Sequence, residues 1–282
     1  MRNPDDMAAL DVPAELQSPL DFAVAERSRG TMEMVRTALD RHDVVLAFQP
    51  VVLGAQPSSV AFYEGLIRVL DETGRAIPAA DFIDAVETLP LGRKIDCLSL
   101  EMGMIALAEH PELRLAINLS ARSIGYPHWI QVLADGLRAD PTVGERLILE
   151  ITGPSAMMLP DLVSAFMHAQ QSKGISFAID NFGSGSTSFR SLQEFYFDLV
   201  KIDGQFIRGI AENPDNQVLT AALLAVSRHL DMFTVAKDVE TAEDAAYLQD
   251  IGFDCLQGYY FGVPTIQPPW RSPSSRRVQQ TG

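Results

Sequence analysis

Residues 147–181 read LILEITGPSAMMLPDLVSAFMHAQQSKGISFAIDN, and this stretch decides the fold class. Leu147–Thr152 and Ile175–Ile179 are short apolar runs rich in β-branched residues, which is typical of buried strands. Between them, Asp161–Ser172 has apolar residues at helical spacing. A strand, a helix and a second strand in this order form the unit from which parallel sheets are built, so the stretch predicts an α/β protein.

The same alternation continues on both sides of this unit. Eight runs predict strands: Val44–Val51, Val60–Leu70, Leu113–Leu119, Leu147–Thr152, Ile175–Ile179, Leu199–Ile202, Phe233–Ala236 and Phe253–Leu256. The stretches between them predict helices: Ala79–Thr88, Arg93–Glu109, His128–Arg138, Asp161–Ser172, Gln217–Leu230 and Ala242–Asp250. This alternation indicates parallel strands joined by crossover helices.

Most predicted strands end in a polar side chain that could bind a metal ion or a phosphate group. These residues are Glu64, Asn118, Glu150, Asp180 with Asn181, Lys201 with Asp203, Lys237 and Gln257. In an eight-stranded β/α barrel all of them lie at the carboxyl rim, where the active sites of that fold are assembled. An open doubly wound sheet also gathers strand ends at a crevice, but not all of them around one centre. We therefore favour a TIM-type (β/α)8 barrel over an open sheet.

The composition is that of a folded protein with an acidic surface. The chain has 282 residues, of which 47% are hydrophobic, and its 22 Lys+Arg against 37 Asp+Glu give a formal net charge of -15. This charge disfavours non-specific binding to DNA or to a lipid surface. No apolar run is long enough to cross a bilayer and no secretory signal opens the chain, so we expect no membrane insertion and a cytoplasmic location. Cys97 and Cys255 stand alone, which predicts two reduced thiols.

We expect one domain with a short segment at each end. Residues 1–30 combine prolines with acidic and small residues, which predicts a flexible leader. Thr31 is a candidate N-cap for a helix that runs to about Arg41, and the barrel domain is assigned to residues 31–264. Residues 265–282 are dense in Pro, Ser, Gln and Arg, which predicts a flexible tail.

Four of the strand-end residues have oxygen ligands that suit a hard cation such as Mg²⁺ or Mn²⁺, namely Glu64, Asn118, Glu150 and Asp180. Each of them alone also has an ordinary interpretation as a helix cap or a turn residue, and their placement at successive strand ends is what favours a site. The sequence DNFGSG at 180–185 is too short for a glycine-rich phosphate loop. We interpret it as a loop that directs Asp180 into the rim.

Eight short motifs, in order along the chain, resemble those of the EAL domain family. They are FQPV at 48–51, EGLIR at 64–68, NLS at 118–120, LEIT at 149–152, DNFG at 180–183, KID at 201–203, VET at 239–241 and QGY at 257–259. The resemblance spans about Val44 to Pro264 and implies a modified eight-stranded β/α barrel. In active members it further implies cleavage of the bacterial second messenger cyclic di-GMP to linear pGpG with two Mg²⁺ or Mn²⁺ ions.

The resemblance also implies roles for individual residues. The ligands of the first metal ion would be Glu64, Asn118, Glu150 and Asp180. Lys201 would help to orient the attacking water, Gln257 would line the metal centre, and Glu240 would support the loop after Asp180. The positions around the nucleotide are matched by Gln49, Arg68, Asp203 and Pro264. Gly65 replaces the alanine of the family name, a change that we expect to be tolerated.

Two departures from the family pattern fall in the two-metal centre. Asn181 stands where active members have a second aspartate, and Lys237 stands where they have the glutamate of Ala-Glu-Gly. An amide is a poorer metal ligand than a carboxylate, and an ammonium group has no lone pair to offer. Asp238 is not expected to replace the lost ligand, because neighbours on a strand point to opposite faces. We therefore expect Mg²⁺ or Mn²⁺ at one site only, no second metal ion, and very slow hydrolysis.

The function that we expect is that of a catalytically impaired EAL domain acting as a cyclic di-GMP receptor or regulatory interaction module. Lys237 would then supply the positive charge of the second ion and bind phosphate with little or no divalent cation. An active phosphodiesterase is the alternative, and a protein-binding module that ignores nucleotide is the third. The expected partners are cyclic di-GMP, an unidentified protein and, by resemblance, a second copy in a homodimer. No cyclase segment precedes the barrel in this sequence, so input is expected through another chain or the ligand.

Overall fold

The computed structural model describes residues 18–184 and 195–271, and its centre is a closed barrel of strands. Within these ranges nine strands are present: β1 Val44–Leu53, β2 Gln56–Leu70, β3 Ala76–Pro78, β4 Leu115–Asn118, β5 Leu147–Thr152, β6 Ser176–Phe182, β7 Leu199–Ile202, β8 Phe233–Ala236 and β9 Cys255–Gln257. All eight predicted runs form strands, and the short β3 was missed from the sequence. Residues 1–17 of the predicted leader and residues 272–282 of the predicted tail lie outside the described residues.

Eight of these strands close into a ring in the order β1-β9-β8-β7-β6-β5-β4-β2, which the pairing of β1 with β2 completes. The pairs from β2 through β4 to β9 are parallel. The closed order confirms the predicted barrel and excludes the open sheet. The expectation of uniformly parallel strands was wrong for β1, which is antiparallel to β2 and β9. Residues 54–55 alone join β1 to β2, and so short a connection reverses the chain direction.

Among the described residues, all helices but the first, which precedes β1, lie in the connections between the parallel strands. The helices are α1 Pro19–Arg41, α2 Ile83–Val86, α3 Pro90–Glu109, α4 Ala121–Ile124, α5 Pro127–Ala139, α6 Gly153–Met158, α7 Pro160–Gln171, α8 Gly204–Ile207, α9 Pro214–His229 and α10 Ala242–Asp250. Helices α3, α5, α7 and α9 all begin with proline, whose fixed φ suits the first helical position. The predicted helix Ala79–Thr88 is instead a 3₁₀ turn, Ala79–Asp81, followed by α2. Within the described ranges no helix has both the length and the apolar character that a membrane span requires.

Helix α1 begins earlier than predicted. It starts at Pro19, so Thr31 lies inside the helix instead of capping it, and residues 19–30 are helical instead of loosely ordered. The helix extends into this segment because Ala, Glu and Arg have high helix propensity, which does not require an apolar face. Its second half packs against the barrel, where Val35 and Leu39 are buried.

The start of the predicted tail packs onto the outside of the barrel. Thr265 and Phe48 of β1 exchange two backbone hydrogen bonds of 2.8 and 3.1 Å. The ring of Trp270 lies edge-on to Tyr63 and Phe48, with centroids 4.2 and 5.3 Å apart. The prediction of a flexible tail was therefore wrong for residues 265–271. This segment lacks an apolar period, but one tryptophan and a backbone bridge suffice to hold it.

The interior of the barrel contains a layer of apolar side chains that we call the lower ring. Each of the eight barrel strands contributes one member: Val51, Phe62, Ala116, Ile148, Ala178, Leu199, Val235 and Cys255. Successive side chains on a strand point to opposite faces, so the residue two positions along each strand also faces the interior. The lower ring is therefore the floor beneath a second layer, at the carboxyl end of the parallel strands.

Candidate functional site at the carboxyl rim

The second interior layer is polar, and we call it the upper ring. Each member lies two residues from a member of the lower ring: Gln49, Glu64, Asn118, Glu150, Asp180, Lys201, Lys237 and Gln257. Because β1 is antiparallel to its neighbours, its member Gln49 precedes Val51 along the chain instead of following it. The barrel thus brings eight of the side chains selected from the sequence into one layer.

Lys201 is the centre of the upper ring and is completely buried. Its Nζ donates to Glu64 Oε2 at 2.7 Å, to Glu150 Oε1 at 2.8 Å and to Glu150 Oε2 at 2.7 Å. Burial by itself lowers the pKa of Lys201, but the two carboxylates outweigh burial and raise that pKa above its ordinary value. An ammonium group has three hydrogens, so all the donors of Lys201 are committed inside the protein.

Glu64 accepts hydrogen bonds from two amide side chains of the upper ring. Its Oε1 accepts from Asn118 Nδ2 at 3.1 Å, and its Oε2 accepts from Gln257 Nε2 at 2.6 Å. Gln257 also donates to Gln49 Oε1 at 3.1 Å, and its own buried Oε1 has no hydrogen-bond partner in residues 18–184 and 195–271. Burial opposes ionisation of Glu64, but Lys201 and Lys237 outweigh it and lower the pKa of this carboxyl group. The pKa of Glu150 is raised, first by burial and then by the charge of Glu64.

Lys237 follows β8, the neighbour of the strand that carries Lys201, and is the more accessible lysine, with 16% of its side chain exposed. Its Nζ donates to Asp180 Oδ1 and to Asn181 Oδ1, both at 2.6 Å. Asn181 has a positive φ of 54°, a conformation that asparagine adopts more readily than most residues. These two bonds use two of the three ammonium hydrogens, so one hydrogen has no acceptor among the residues that the structure describes.

Asn181 and Lys237 fit the second of two divalent cations poorly, because an amide is a weaker ligand than a carboxylate and an ammonium group has no lone pair. The oxygens of Glu64 and Glu150 accept from Lys201, and Asn118 directs its N–H towards Glu64. Among the residues that the structure describes, no group of three His, Cys, Asp or Glu side chains is placed to hold a metal ion. At the position where a second metal ion would be bound, the Lys237 ammonium group lies against Asp180 and offers no lone pair to a metal. The three carboxylates of the ring are thus paired with two ammonium groups of the protein itself.

Asp238 and Glu240 lie outside the ring. Strand β8 ends at Ala236, so the strand alternation that was expected to turn Asp238 away does not apply. Asp238 instead has a positive φ of 57°, and its Oδ2 accepts from Arg208 Nη2 at 2.6 Å. Glu240 Oε1 lies 3.5 Å from Arg208 Nε. The loop at 185–194, which Glu240 was expected to support, lies outside the described residues.

The remaining predicted nucleotide positions are dispersed around the rim. Arg68 is half-buried on β2, and its Nη1 donates to Ile67 O at 3.2 Å. Asp203 is the N-cap of α8, because its carboxylate accepts from the backbone N–H of Gln205 at 2.9 Å. Pro264 directly precedes the backbone bridge to Phe48. These three residues contribute no side chain to the upper ring.

Gly65 is closely packed. A Cβ atom at this position would lie 2.7 Å from Ile117 Cδ1 and 3.0 Å from Leu46 Cδ2. The side chains of Ile117 and Leu46 therefore fill the space that an alanine methyl group would need, and the smaller residue leaves no gap.

A cavity of about 400 Å³ opens from the upper ring towards α2 and α3. It is bordered by Asp180 and Lys237 at one end and by Glu87, Asp96 and Ser99 at the other. Asp96 is nearly buried, accepts from Ser123 Oγ at 2.6 Å and from Ser120 N at 3.2 Å, and has its pKa raised to about 7 by burial. These α2 and α3 residues were missed from the sequence. The sequence signal that could have identified Asp96 was the presence of an acidic residue on the otherwise apolar face of a helix.

Comparison with known proteins leads to the same kind of domain. The family model for the EAL domain matches residues 32–264. The cyclic di-GMP phosphodiesterase PdeB of Shewanella oneidensis is 31% identical over 235 residues, which cover 82% of this chain and 27% of PdeB. The crystal structure of the FimX EAL domain from Pseudomonas aeruginosa bound to c-di-GMP has a TM-score of 0.76 at 27% identity, covering 84% of this chain and 96% of that one. The PaMucR phosphodiesterase in complex with c-di-GMP has a TM-score of 0.73, also at 27% identity, over 84% and 97% of the two chains.

The fold and the site together define a modified (β/α)8 barrel with an antiparallel first strand and a polar ring at its carboxyl rim. The chain belongs to the EAL domain family, since the family model spans most of its length. It corresponds to 27% of the length of PdeB.

Proposed function

We propose that this EAL domain is a receptor or regulatory module for cyclic di-GMP and that its hydrolytic activity is impaired. The observation that carries the proposal is the position of Lys237 Nζ, which lies 2.6 Å from both Asp180 Oδ1 and Asn181 Oδ1. A fixed monovalent cation of the protein stands beside Asp180, where a two-metal mechanism requires a divalent ion and a carboxylate.

Binding of a phosphodiester is supported by the charge and geometry of the ring. Within the described part of the chain Lys237 uses only two of its three ammonium hydrogens, and it is partly exposed beside the cavity. Lysine is a common phosphate partner, and here its position is held by two strong hydrogen bonds. The carboxylates that would repel a phosphate are paired with Lys201 and Lys237. The complexes of the FimX and PaMucR EAL domains with c-di-GMP identify the nucleotide to test.

Impaired hydrolysis is supported by the second lysine. Lys201 would have to direct a hydrogen to the attacking water, but Glu64 and Glu150 accept all three of its hydrogens. A two-metal site stabilises both the attacking and the leaving oxygen of the phosphodiester. Without that pair of ions, the loss of several kcal/mol of transition-state stabilisation corresponds to a rate loss of several orders of magnitude.

The test is to measure cyclic di-GMP binding by calorimetry in EDTA and pGpG formation with Mn²⁺ on the same preparation. We expect the unmodified protein to bind in EDTA and to form no pGpG at an enzymatic rate. Lys237→Met should weaken binding by about tenfold or more, because a charge-assisted hydrogen bond is lost. Lys173→Met is the matched control, since the exposed Lys173 donates to Gln170 away from the upper ring and its loss should leave binding unchanged.

Two other outcomes would overturn the proposal. Turnover at an enzymatic rate would establish an active phosphodiesterase, the activity by which the relative PdeB is named. If the protein neither binds nor cleaves cyclic di-GMP, a module that binds another protein and ignores nucleotide is favoured.

An unidentified protein partner and a homodimer, both expected from the sequence, stay predictions. Light scattering of the nucleotide-free and nucleotide-bound protein tests the homodimer.

A further inference from the structure

Lys237 belongs to a short segment, residues 237–240, that leaves the barrel after β8 and whose backbone is held from inside. Val239 is fully buried, its N–H donates to Gln257 O at 3.0 Å, and its carbonyl accepts from Tyr260 N at 3.1 Å. Lys237 N donates to Ile202 O at 3.3 Å. The segment therefore lies against both neighbouring strands, and Lys237 points inward while Asp238 and Glu240 point outward.

The outer face of segment 237–240 is held by one guanidinium group. Arg208 Nη2 donates to Asp238 Oδ2 at 2.6 Å, and Arg208 Nε lies 3.5 Å from Glu240 Oε1. Arg208 thus contacts the side chains on both sides of the buried Val239. Asp238 has a positive φ of 57°, which is unfavourable for a residue with a Cβ and requires support from its surroundings.

Gly204 leaves room for the contact between Arg208 and Asp238. A Cβ at Gly204 would lie 2.0 Å from Asp238 Oδ2 and 2.7 Å from Asp238 Cβ, so only glycine at position 204 permits the observed position of Asp238. The chain next to Arg208 is itself fixed, because Asp244 accepts from Gly209 N at 3.1 Å and from Ala211 N at 3.0 Å. Asp244 is buried on the first turn of α10. The guanidinium group is therefore attached to a firmly held backbone.

We propose that Arg208 is a positioning residue for Lys237. By binding Asp238 and Glu240, Arg208 holds segment 237–240 in the conformation that places Lys237 Nζ against Asp180 and Asn181. This inference rests on the proposed function for its effect on nucleotide binding, whereas its structural part can be tested without nucleotide. Arg208 and Asp238 are 55% and 42% exposed, and exposed ion pairs contribute little to global stability. Removing Arg208 should therefore change the position of Lys237 far more than the stability of the fold.

The nucleotide-free test uses nuclear magnetic resonance of lysine ammonium groups, whose signals are visible when hydrogen bonds slow their exchange with water. The buried Lys201 and the bonded Lys237 should both give signals, and Lys237→Met identifies the second one by its loss. Arg208→Gln should remove or strongly shift the Lys237 signal and leave the Lys201 signal in place. Arg75→Gln, which removes an exposed ion pair with Asp71 on the hairpin to β3, should change neither signal. An unchanged Lys237 signal in Arg208→Gln would overturn the inference.

The nucleotide test is a double-mutant cycle in EDTA with Arg208→Gln, Lys237→Met and the double variant. Arg208→Gln should weaken cyclic di-GMP binding by about fivefold, and the double variant should bind no more weakly than Lys237→Met alone, since Arg208 acts through Lys237. Additive losses would contradict the inference. If the unmodified protein does not bind cyclic di-GMP, the proposed function is rejected, and the ammonium signals alone decide the role of Arg208.

Discussion

At the scale of single residues, the two lysines of the upper ring differ in what they leave free. Lys201 is buried and gives all three hydrogens to Glu64 and Glu150, whereas Lys237 is partly exposed and gives only two to residues in the described ranges. The loss of a carboxylate at position 237 was visible in the sequence. That the replacing ammonium would bind Asp180 depends on how the ends of β6 and β8 are placed around the barrel.

The first prediction concerns these substituted positions. The variant Asn181→Asp with Lys237→Glu removes the ammonium and restores two carboxylates beside Asp180, so it should gain Mn²⁺ binding and some cyclic di-GMP hydrolysis. Mn²⁺ titration by electron paramagnetic resonance and a pGpG assay measure the two effects. Asn181→Asp alone is the control, because Lys237 still stands beside Asp180, and it should stay inert. A folded double variant that binds Mn²⁺ and cleaves nothing would count against the loss of ligands as the cause of impairment.

The second prediction concerns Asp96 and pH. Burial raises the pKa of Asp96 to about 7 from an ordinary 3.8, so between these values the folded state holds a proton that the unfolded state has lost. The free energy of unfolding therefore falls as pH rises through this range, by at most about 1.4 kcal/mol per pH unit. Asp96→Asn lacks this proton and can still accept from Ser123, so it should be more stable than the unmodified protein at pH 8. Urea unfolding at pH 5 and pH 8 measures the difference, and parallel pH profiles of the two proteins would refute it.

At the scale of elements, the segment after β9 carries out two tasks. Its first part returns across the rim and brings Gly262 O to Gln49 Nε2, at 3.2 Å. Its second part covers β1 and β2 on the outside, where Trp270 packs against Phe48 and Tyr63. The antiparallel β1–β2 pair has no helix between its strands, so this segment covers the apolar surface that a connecting helix would cover elsewhere in the barrel.

The third prediction tests that cover. Trp270→Ala removes an indole ring from a partly buried apolar site, and it should lower the free energy of unfolding by about 2 kcal/mol, somewhat less than a fully buried tryptophan would. Equilibrium urea unfolding measures the change. Tyr259→Ala is the control, because Tyr259 is an exposed aromatic residue on the same segment and its loss should leave stability nearly unchanged. Equal losses in the two variants would mean that Trp270 does not cover a core surface.

At the scale of the whole molecule, the upper ring connects strands that are far apart around the barrel. Lys201 on β7 binds Glu64 on β2 and Glu150 on β5, so its ammonium group spans the interior. Buried carboxylates are costly unless paired, and here the positive charge comes from the protein itself. The ring is thus a self-contained electrostatic unit seated on the apolar lower ring.

The fourth prediction follows from this unit. Lys201→Met leaves Glu64 and Glu150 buried without their ammonium partner, and it should cost about 3–5 kcal/mol of stability. Adding Glu150→Gln removes one of the two buried carboxyl groups that have lost their ammonium partner and should recover part of the loss. Thermal and urea unfolding of both variants measure these effects. A cost below 1 kcal/mol for Lys201→Met would show that water or a bound cation compensates the carboxylates.

The fold and the members of the ring could be predicted from the sequence because both follow from local patterns. Apolar runs alternating with helical stretches indicate a β/α barrel, and a polar residue at the carboxyl end of a run lies at the carboxyl rim of that barrel. The alternation of side chains along a strand then decides whether the residue faces the interior. Glu64, Asn118 and Glu150 were selected in this way, and the structure places all three in the upper ring.

The contacts between residues distant in sequence could not be predicted from local patterns. Lys201 lies 137 residues from Glu64, and Lys237 lies 57 residues from Asp180. The pairing of Asp238 with Arg208, the burial of Asp96 and the packing of Trp270 are of the same kind. Strand periodicity states which face a side chain points to. Which partners it meets there depends on the order in which the strands close, and that order is set by the packing of the whole chain.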